Sequence, residues 1–235
     1  MTQRRKELDV SAYLVVGPEN TRGRGIACVI KSALTAGFTC IQIRSKTATA
    51  RELIGLTDEA AKVIDETPHT IRPALLVNDR LDVALAAKMQ GIPVDGVHVG
   101  QSDIPPEVCR TLLGEDAIVG LSARSYRLLE YVRAADVSGI DYFGAGPLHE
   151  TETKPEAGVD ASGRRHFRTV EELTKLASLS PIPVVVGGGV KAADLPELAK
   201  TGVDGFFVVS AVAGADNPYE AARELTETWR RFHGA

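Results

Sequence analysis

Eight short apolar runs recur along this chain, most of them followed by a longer stretch whose apolar residues have helical spacing. No other feature constrains the fold as tightly. The runs are AYLVV from Ala12, TCIQIR from Thr39, ALLVN from Ala74, VDGVHV from Val94, AIVGLS from Ala117, IDYFGAG from Ile140, PVVVGG from Pro183 and DGFFVVS from Asp204. Continuous apolar runs of this length suit strands buried on both faces. Helical spacing falls over 51–66, 80–89, 106–113, 127–136, 170–178, 193–200 and 219–232. AGF from Ala36, SGI from Ser138 and TGV from Thr201 carry the glycine that ends a helix before the next strand. Repeated βα units build a parallel sheet, and eight with nothing left over predict a closed (β/α)8 TIM barrel. A doubly wound open sheet is the runner-up, because strand number alone does not prove closure.

No linker, charge block or low-complexity tract divides the 235 residues, so residues 1–235 read as one barrel domain, a length usual for this fold. A net charge of −4 with no long basic run leaves no electrostatic footprint for nucleic acid, although a few convergent cations would suffice for small anions. No run approaches a membrane span, and the basic start MTQRRKELDV leads into no apolar segment, so a cytoplasmic protein is expected. Cys28, Cys40 and Cys109 are widely spaced and read as buried free thiols. The connection from 147 to about 168 has neither strand nor helix periodicity, and loops of that length are commonly functional or disordered.

A parallel barrel places its active site at the C-terminal strand ends. The second strand ends Gln42-Ile43-Arg44-Ser45-Lys46, and a side-chain period of two sets Gln42, Arg44 and Lys46 on one face. Gln42 lies inside an apolar run, where an unpaired amide would be costly. The third strand ends Asn78-Asp79-Arg80, and the fourth is followed by Asp103. Two acids at adjacent strand ends can hold Mg²⁺, while Asp79 serves equally well as an N-cap for the next helix. His98 reads as a hydrogen-bonded core histidine supporting the site. After the sixth strand come Thr151, Glu152, Thr153 and Lys154, two hydroxyls and an ammonium that could grip an oxyanion. Gly187-Gly188-Gly189 ends the seventh strand and Val209-Ser210 the eighth, where barrels of this class recurrently bind phosphate.

These segments resemble the thiamine phosphate synthase family over nearly the whole chain. The resemblance rests on QIRSK from Gln42, VNDRLDVAL from Val77, DGVHVGQSD from Asp95, VGLSARS from Val119, DYFGAGPLHETETKP from Asp141, PVVVGGG from Pro183 and FFVVSAV from Phe206, in that order. It implies a transferase that condenses 4-amino-2-methyl-5-(diphosphooxymethyl)pyrimidine with 4-methyl-5-(2-phosphoethyl)thiazole, or its carboxylated form, giving thiamine phosphate and pyrophosphate. By the resemblance Gln42, Ile43, Arg44, Ser45, Lys46, Asn78, Ser122 and Lys154 serve the pyrimidine diphosphate. Arg44, Lys46, Ser122 and Lys154 are its catalytic positions, and Asp79 and Asp103 hold Mg²⁺. Thr151, Glu152, Thr153, Gly188, Val209 and Ser210 serve the thiazole phosphate. The implied mechanism is dissociative and needs no side-chain nucleophile, and a homodimer is the family-level expectation.

The chain departs from the family pattern at Arg124, where a His is more usual, at Leu148-His149-Glu150, and in a longer stretch over 155–168. A thiazole tautomerase-like isomerase of the same barrel family is the alternative. Such an enzyme gains nothing from QIRSK, the paired acids and Lys154. A non-catalytic sensor would require a broken site, and a phosphosugar epimerase would leave QIRSK and the acids unexplained.

Overall fold

The computed structural model describes residues 2–123, 127–151, 158–159 and 163–233. Helix α1 (Gln3–Lys6) precedes β1 (Ala12–Val16), and the chain continues through α2 (Ile26–Thr35), β2 (Cys40–Ile43), α3 (Ala50–Glu66), β3 (Ala74–Asn78) and α4 (Leu81–Met89). It goes on through β4 (Gly96–Val99), α5 (Pro106–Leu113), β5 (Ile118–Ser122), α6 (Leu128–Ala134), β6 (Tyr142–Ala145), α7 (Val170–Leu179) and β7 (Val184–Val186). Helices α8 (Leu195–Lys200), α9 (Ser210–Ala213) and α10 (Pro218–Phe232) flank β8 (Gly205–Val208). The eight strands pair in parallel with their sequence neighbours, and β1 pairs with β8 to close the barrel. Closure settles the choice against an open sheet.

Strand alternation divides the core into two layers. Outward residues such as Leu14, Ile41, Ile43, Leu75, Val97, Phe143 and Phe206 pack against the apolar helix stripes. Inward residues Tyr13, Val15, Cys40, Ala74, Leu76, Ile118, Tyr142 and Val185 fill the barrel interior. In α3, for example, Leu53, Thr57, Ala60, Ala61 and Ile64 recur at helical spacing and are buried. Its start is fixed by a capping box in which Glu52 N–H donates to Thr49 Oγ1 at 3.3 Å and Thr49 N–H donates to Glu52 Oε2 at 2.7 Å.

Strands β4, β6 and β8 begin later than their apolar runs, because each is preceded by an aspartate with a different task. Asp95, Asp141 and Asp204 accept backbone N–H bonds from Leu75, Val119 and Val184 of the preceding strand at 2.7, 2.8 and 2.8 Å. The basic N-terminal segment completes this face: Arg4 reaches Asp95 at 2.7 Å and Arg5 reaches Asp141 at 2.6 Å. The barrel floor is thus sealed by charge pairs, and the opposite end is left for chemistry.

Helix α2 was not resolved as a separate helical stretch in the sequence pattern. Its stripe, Ile26, Val29, Ile30, Ala33 and Leu34, packs towards β1 and leaves Cys28 exposed on the other side. The expectation of three buried thiols therefore fails at Cys28 and holds for Cys40 and Cys109. Burial pushes the Cys40 thiol well above its usual value. No described helix is long and apolar enough to cross a membrane.

Candidate active site

The C-terminal strand ends enclose one cavity of about 530 Å³, within the range of small-molecule sites. Gln42, Arg44, Asn78 and Ser122 line it from β2, β3 and β5. Thr151, Gly188, Val209 and Ser210 line it from the loops after β6, β7 and β8. These eight sequence candidates therefore share one space.

The rest stand otherwise. Ile43 is fully buried in the outer layer between sheet and helices, so its side chain does not enter the cavity. Its place in the motif is a consequence of strand alternation. Ser45 lies in the turn before α3, where its Oγ donates to Glu19 and accepts from the Ala48 N–H at 3.0 Å. Although burial opposes it, hydrogen bonds from Ser45 and Thr47 hold the Glu19 carboxyl below its ordinary value. Lys46 is exposed just beyond this turn. Glu152, Thr153 and Lys154, together with Arg124, lie outside the described residues.

Asp79 follows β3 directly, and its N–H donates to the His98 carbonyl of β4 at 2.8 Å. Its φ of 59° is left-handed, a conformation that Asp tolerates better than most residues. The N-cap of α4 is Arg80, with no side-chain cap bond, so Asp79 stands one residue ahead of the capping position. Asp103 lies in the loop after β4, where its Oδ2 accepts the Gly100 N–H at 2.7 Å. Because β3 and β4 are hydrogen-bonded neighbours, the two acids leave adjacent strand ends.

At the bottom of the cavity a hydrogen-bonded chain crosses the barrel. Gln42, 3% exposed, donates from Nε2 to the Tyr13 hydroxyl at 2.7 Å. The Tyr13 and Tyr142 hydroxyls are 2.9 Å apart, Tyr142 meets His98 Nδ1 at 2.9 Å, and His98 Nε2 meets Ser122 Oγ at 2.9 Å. Burial is the main reason both phenols lose their protons only well above the usual 10.0. Small residues make room for the large ones: a Cβ on Gly120 would lie 2.5 Å from Tyr142 Cε1, and one on Gly144 would lie 3.0 Å from His98 Cε1.

On the other side, Gly188 and Gly189 have φ of 80° and 77°, and a Cβ on Gly188 would meet Pro147 Cβ at 2.6 Å. Only glycine fits there, and it leaves backbone amides at the mouth. Val209 precedes α9, whose first residue is Ser210. Tyr13, Lys191 and Phe207 also line the cavity without having been singled out in the sequence, as does His149, noted there only as a departure from the family pattern. Tyr13 and Phe207 sit within apolar runs and read as plain core. Lys191, two residues after the triple glycine, carried a signal in its cation beside a phosphate-type loop.

Residues 12–212 match the family model for thiamine monophosphate synthase. The chain is 42% identical to a thiamine-phosphate synthase of Corynebacterium efficiens over 218 residues, covering 92% of this chain and 94% of that protein. It is 37% identical to a thiamine-phosphate synthase of Natronomonas pharaonis, covering 93% and 94%. A solved thiamine phosphate pyrophosphorylase from Pyrococcus furiosus superimposes with a TM-score of 0.78 at 30% identity, covering 99% of this chain and all of that one. A 3-hexulose-6-phosphate synthase from Salmonella typhimurium, at 15% identity and TM-score 0.69, shares the barrel fold.

Proposed function

The chain belongs to the thiamine monophosphate synthase family and is an enzyme, a transferase; within that identity we propose that it joins the aminopyrimidine methyl diphosphate to the thiazole phosphate, or its carboxylated form, and releases pyrophosphate. The observation that carries this reading is the division of a single cavity. Residues with amide, hydroxyl and guanidinium side chains line it from β2, β3 and β5, and glycines and hydroxyl residues line it from the loops after β6 to β8. Two different phosphorylated rings could thereby meet in one enclosure.

In this reading Gln42, Asn78 and Ser122 hold the aminopyrimidine. Arg44, Lys46 and Lys154, with Ser45, face the diphosphate. Thr151, Thr153, Gly188, Val209 and Ser210 take the thiazole phosphate. Among the described residues no three His, Cys, Asp or Glu side chains gather as metal ligands, whereas Mg²⁺ commonly takes one or two carboxylates and completes its shell with waters and phosphate oxygens. Asp79 and Asp103, hard oxygen donors at adjacent strand ends, fit that mode. Held there, Mg²⁺ would neutralise charge on the diphosphate.

The proposed reaction is dissociative. The bond between the pyrimidine methylene carbon and the diphosphate oxygen breaks, and its electron pair leaves with pyrophosphate. The electron-rich aminopyrimidine stabilises the methylene cation until the thiazole nitrogen lone pair captures it. The side chains position both rings and stabilise the charge growing on the leaving oxygen, and neither task requires a nucleophile. The tautomerase alternative is not favoured, since the relatives reported above are named as synthases.

Incubating the purified enzyme with both precursors, with and without Mg²⁺, tests this reading. Thiamine phosphate and pyrophosphate should form in equal amounts only when both precursors and the divalent cation are present. Asp103→Ala should lower turnover by orders of magnitude while the protein stays folded. Undiminished coupling in excess chelator would refute the metal assignment, and isomerisation of a thiazole alone would refute the transfer.

A further inference from the structure

We infer that Tyr13, Tyr142 and His98 are positioning residues: they form a one-way hydrogen-bond chain that presents Gln42 to the aminopyrimidine as an acceptor and Ser122 as a donor. The inference rests on the transferase reading for the identity of the ring, but the direction of the chain follows from its own atoms. Gln42 Nε2 can only donate, so the Tyr13 oxygen accepts; in the proposed chain the Tyr13 hydrogen goes to the stronger oxygen acceptor, Tyr142, rather than to the neighbouring Cys40 sulfur. Tyr142, already accepting, donates to His98 Nδ1. That nitrogen must therefore be the unprotonated one, which leaves the hydrogen on Nε2 to be donated to Ser122 Oγ. Ser122, now an acceptor within the chain, has its hydroxyl hydrogen left for the cavity. At the other end Gln42 has turned its Nε2 inward and offers Oε1.

Burial keeps this direction from scrambling. Tyr13 and Tyr142 are 1% and 0% exposed, and burial keeps both phenols neutral far into the alkaline range, so neither becomes a pure acceptor. Reversing one link requires reversing all of them, including the amide of Gln42, which is buried at 3% exposure. The two ends line the cavity from β2 and β5. An acceptor at one wall and a donor at the other match a 4-aminopyrimidine, whose amino hydrogen and the ring nitrogen opposite it lie on two sides of the ring. An oxo-pyrimidine with the reversed pattern would place donor against donor at one end and acceptor against acceptor at the other.

Nitrogen-15 NMR of histidine-labelled protein reads the chain directly, with the His98 signal assigned by its loss in His98→Gln. His98 should be a neutral imidazole with its hydrogen on Nε2. Tyr142→Phe should convert it to a mixture of tautomers and lower kcat/KM for the pyrimidine diphosphate about two- to tenfold, the effect of one neutral hydrogen bond, while KM for the thiazole phosphate stays constant. Tyr13→Phe, which deletes a different link, should shift the same two readouts and serves if Tyr142→Phe does not fold. A hydrogen on Nδ1 in the wild type would overturn the inference, as would a folded variant with unchanged tautomer and kinetics. If the enzyme did not turn over these substrates at all, the transferase reading would fail, while the tautomer would still decide the direction of the chain.

Discussion

Replacing Gly120 with alanine tests whether the polar floor of the cavity is a packed object or a loose set of contacts. Gly120 faces inward on β5, and a Cβ there would lie 2.5 Å from Tyr142 Cε1 and closer still to Cζ and the hydroxyl. Carbon atoms pack at about 3.5–4.0 Å, so the overlap is about 1 Å or more. The ring cannot retreat, because Tyr142 is fully buried, lies edge-on to Tyr13 at 5.9 Å between centroids, and is stacked at a tilt on His98 at 5.5 Å. Overpacking of this kind costs about 1–3 kcal/mol. For a protein of this size that corresponds to a fall in Tm of about 2–12 °C, readable by calorimetry. Tyr142→Leu empties the same space, so Gly120→Ala added to that background should cost markedly less than it does alone. A Gly120→Ala protein as stable as the parent, or a cycle additive to within about 0.5 kcal/mol, would show that the ring does not occupy the glycine's missing side chain.

Three further outcomes are expected of this structure. Asp141 is held between Arg5 and Arg110 at 2.6 Å each, so Asp141→Asn should destabilise the fold by about 3–5 kcal/mol in urea, whereas Asp204→Asn, which touches no described cation, should cost about 1 kcal/mol. The raised phenol values of Tyr13 and Tyr142 predict stability that is intact below pH 10 and lost above it, because the unfolded chain then ionises while the folded one does not; denaturation curves should show a slope of about 1.4 kcal/mol per pH unit per tyrosine, reduced in Tyr142→Phe. Ser210→Ala should mainly raise KM for the thiazole phosphate with little change in kcat, and the reverse pattern in steady-state kinetics would mean that the two phosphate sites are exchanged.

Much of the barrel was legible because each βα unit carries its own hydrophobic period. The strand positions read from the apolar runs survive in all eight cases, and α5 was located at both ends. The errors have physical causes. Runs beginning IDY and VDG look like strand from their first residue, yet Asp95, Asp141 and Asp204 turn their carboxylates to the neighbouring strand and delay the start. The helix over 193–200 is split, Ala192–Asp194 forming a tighter turn before α8, since Pro196 fits only at a helix start. Helix α2, IACVIKSALT, is apolar over most of its length, so its period does not stand apart from the strands on either side.

The cavity lining was legible where polar residues interrupt apolar runs, as Gln42 does, or end them, as Asn78 and Ser122 do. Tyr13, Tyr142 and Phe207 escaped because aromatic residues in a strand look the same whether they fill a core or carry a hydrogen bond through it. What separates the two cases is the space opposite. A barrel interior has room for large side chains from some strands only if others contribute almost nothing, and here Gly120, Gly144 and Gly187 stand against Tyr142, His98 and Phe207. Gly120 in VGLS, Gly144 in FGAG and Gly187 in VVVGG therefore do not mark the bulge or bend that a strand glycine often signals. They mark where rings from elsewhere in the barrel cross its axis. The floor that orients Gln42 and Ser122 exists because those three positions lack a side chain, which ties the direction of the hydrogen bonds to the packing beneath them.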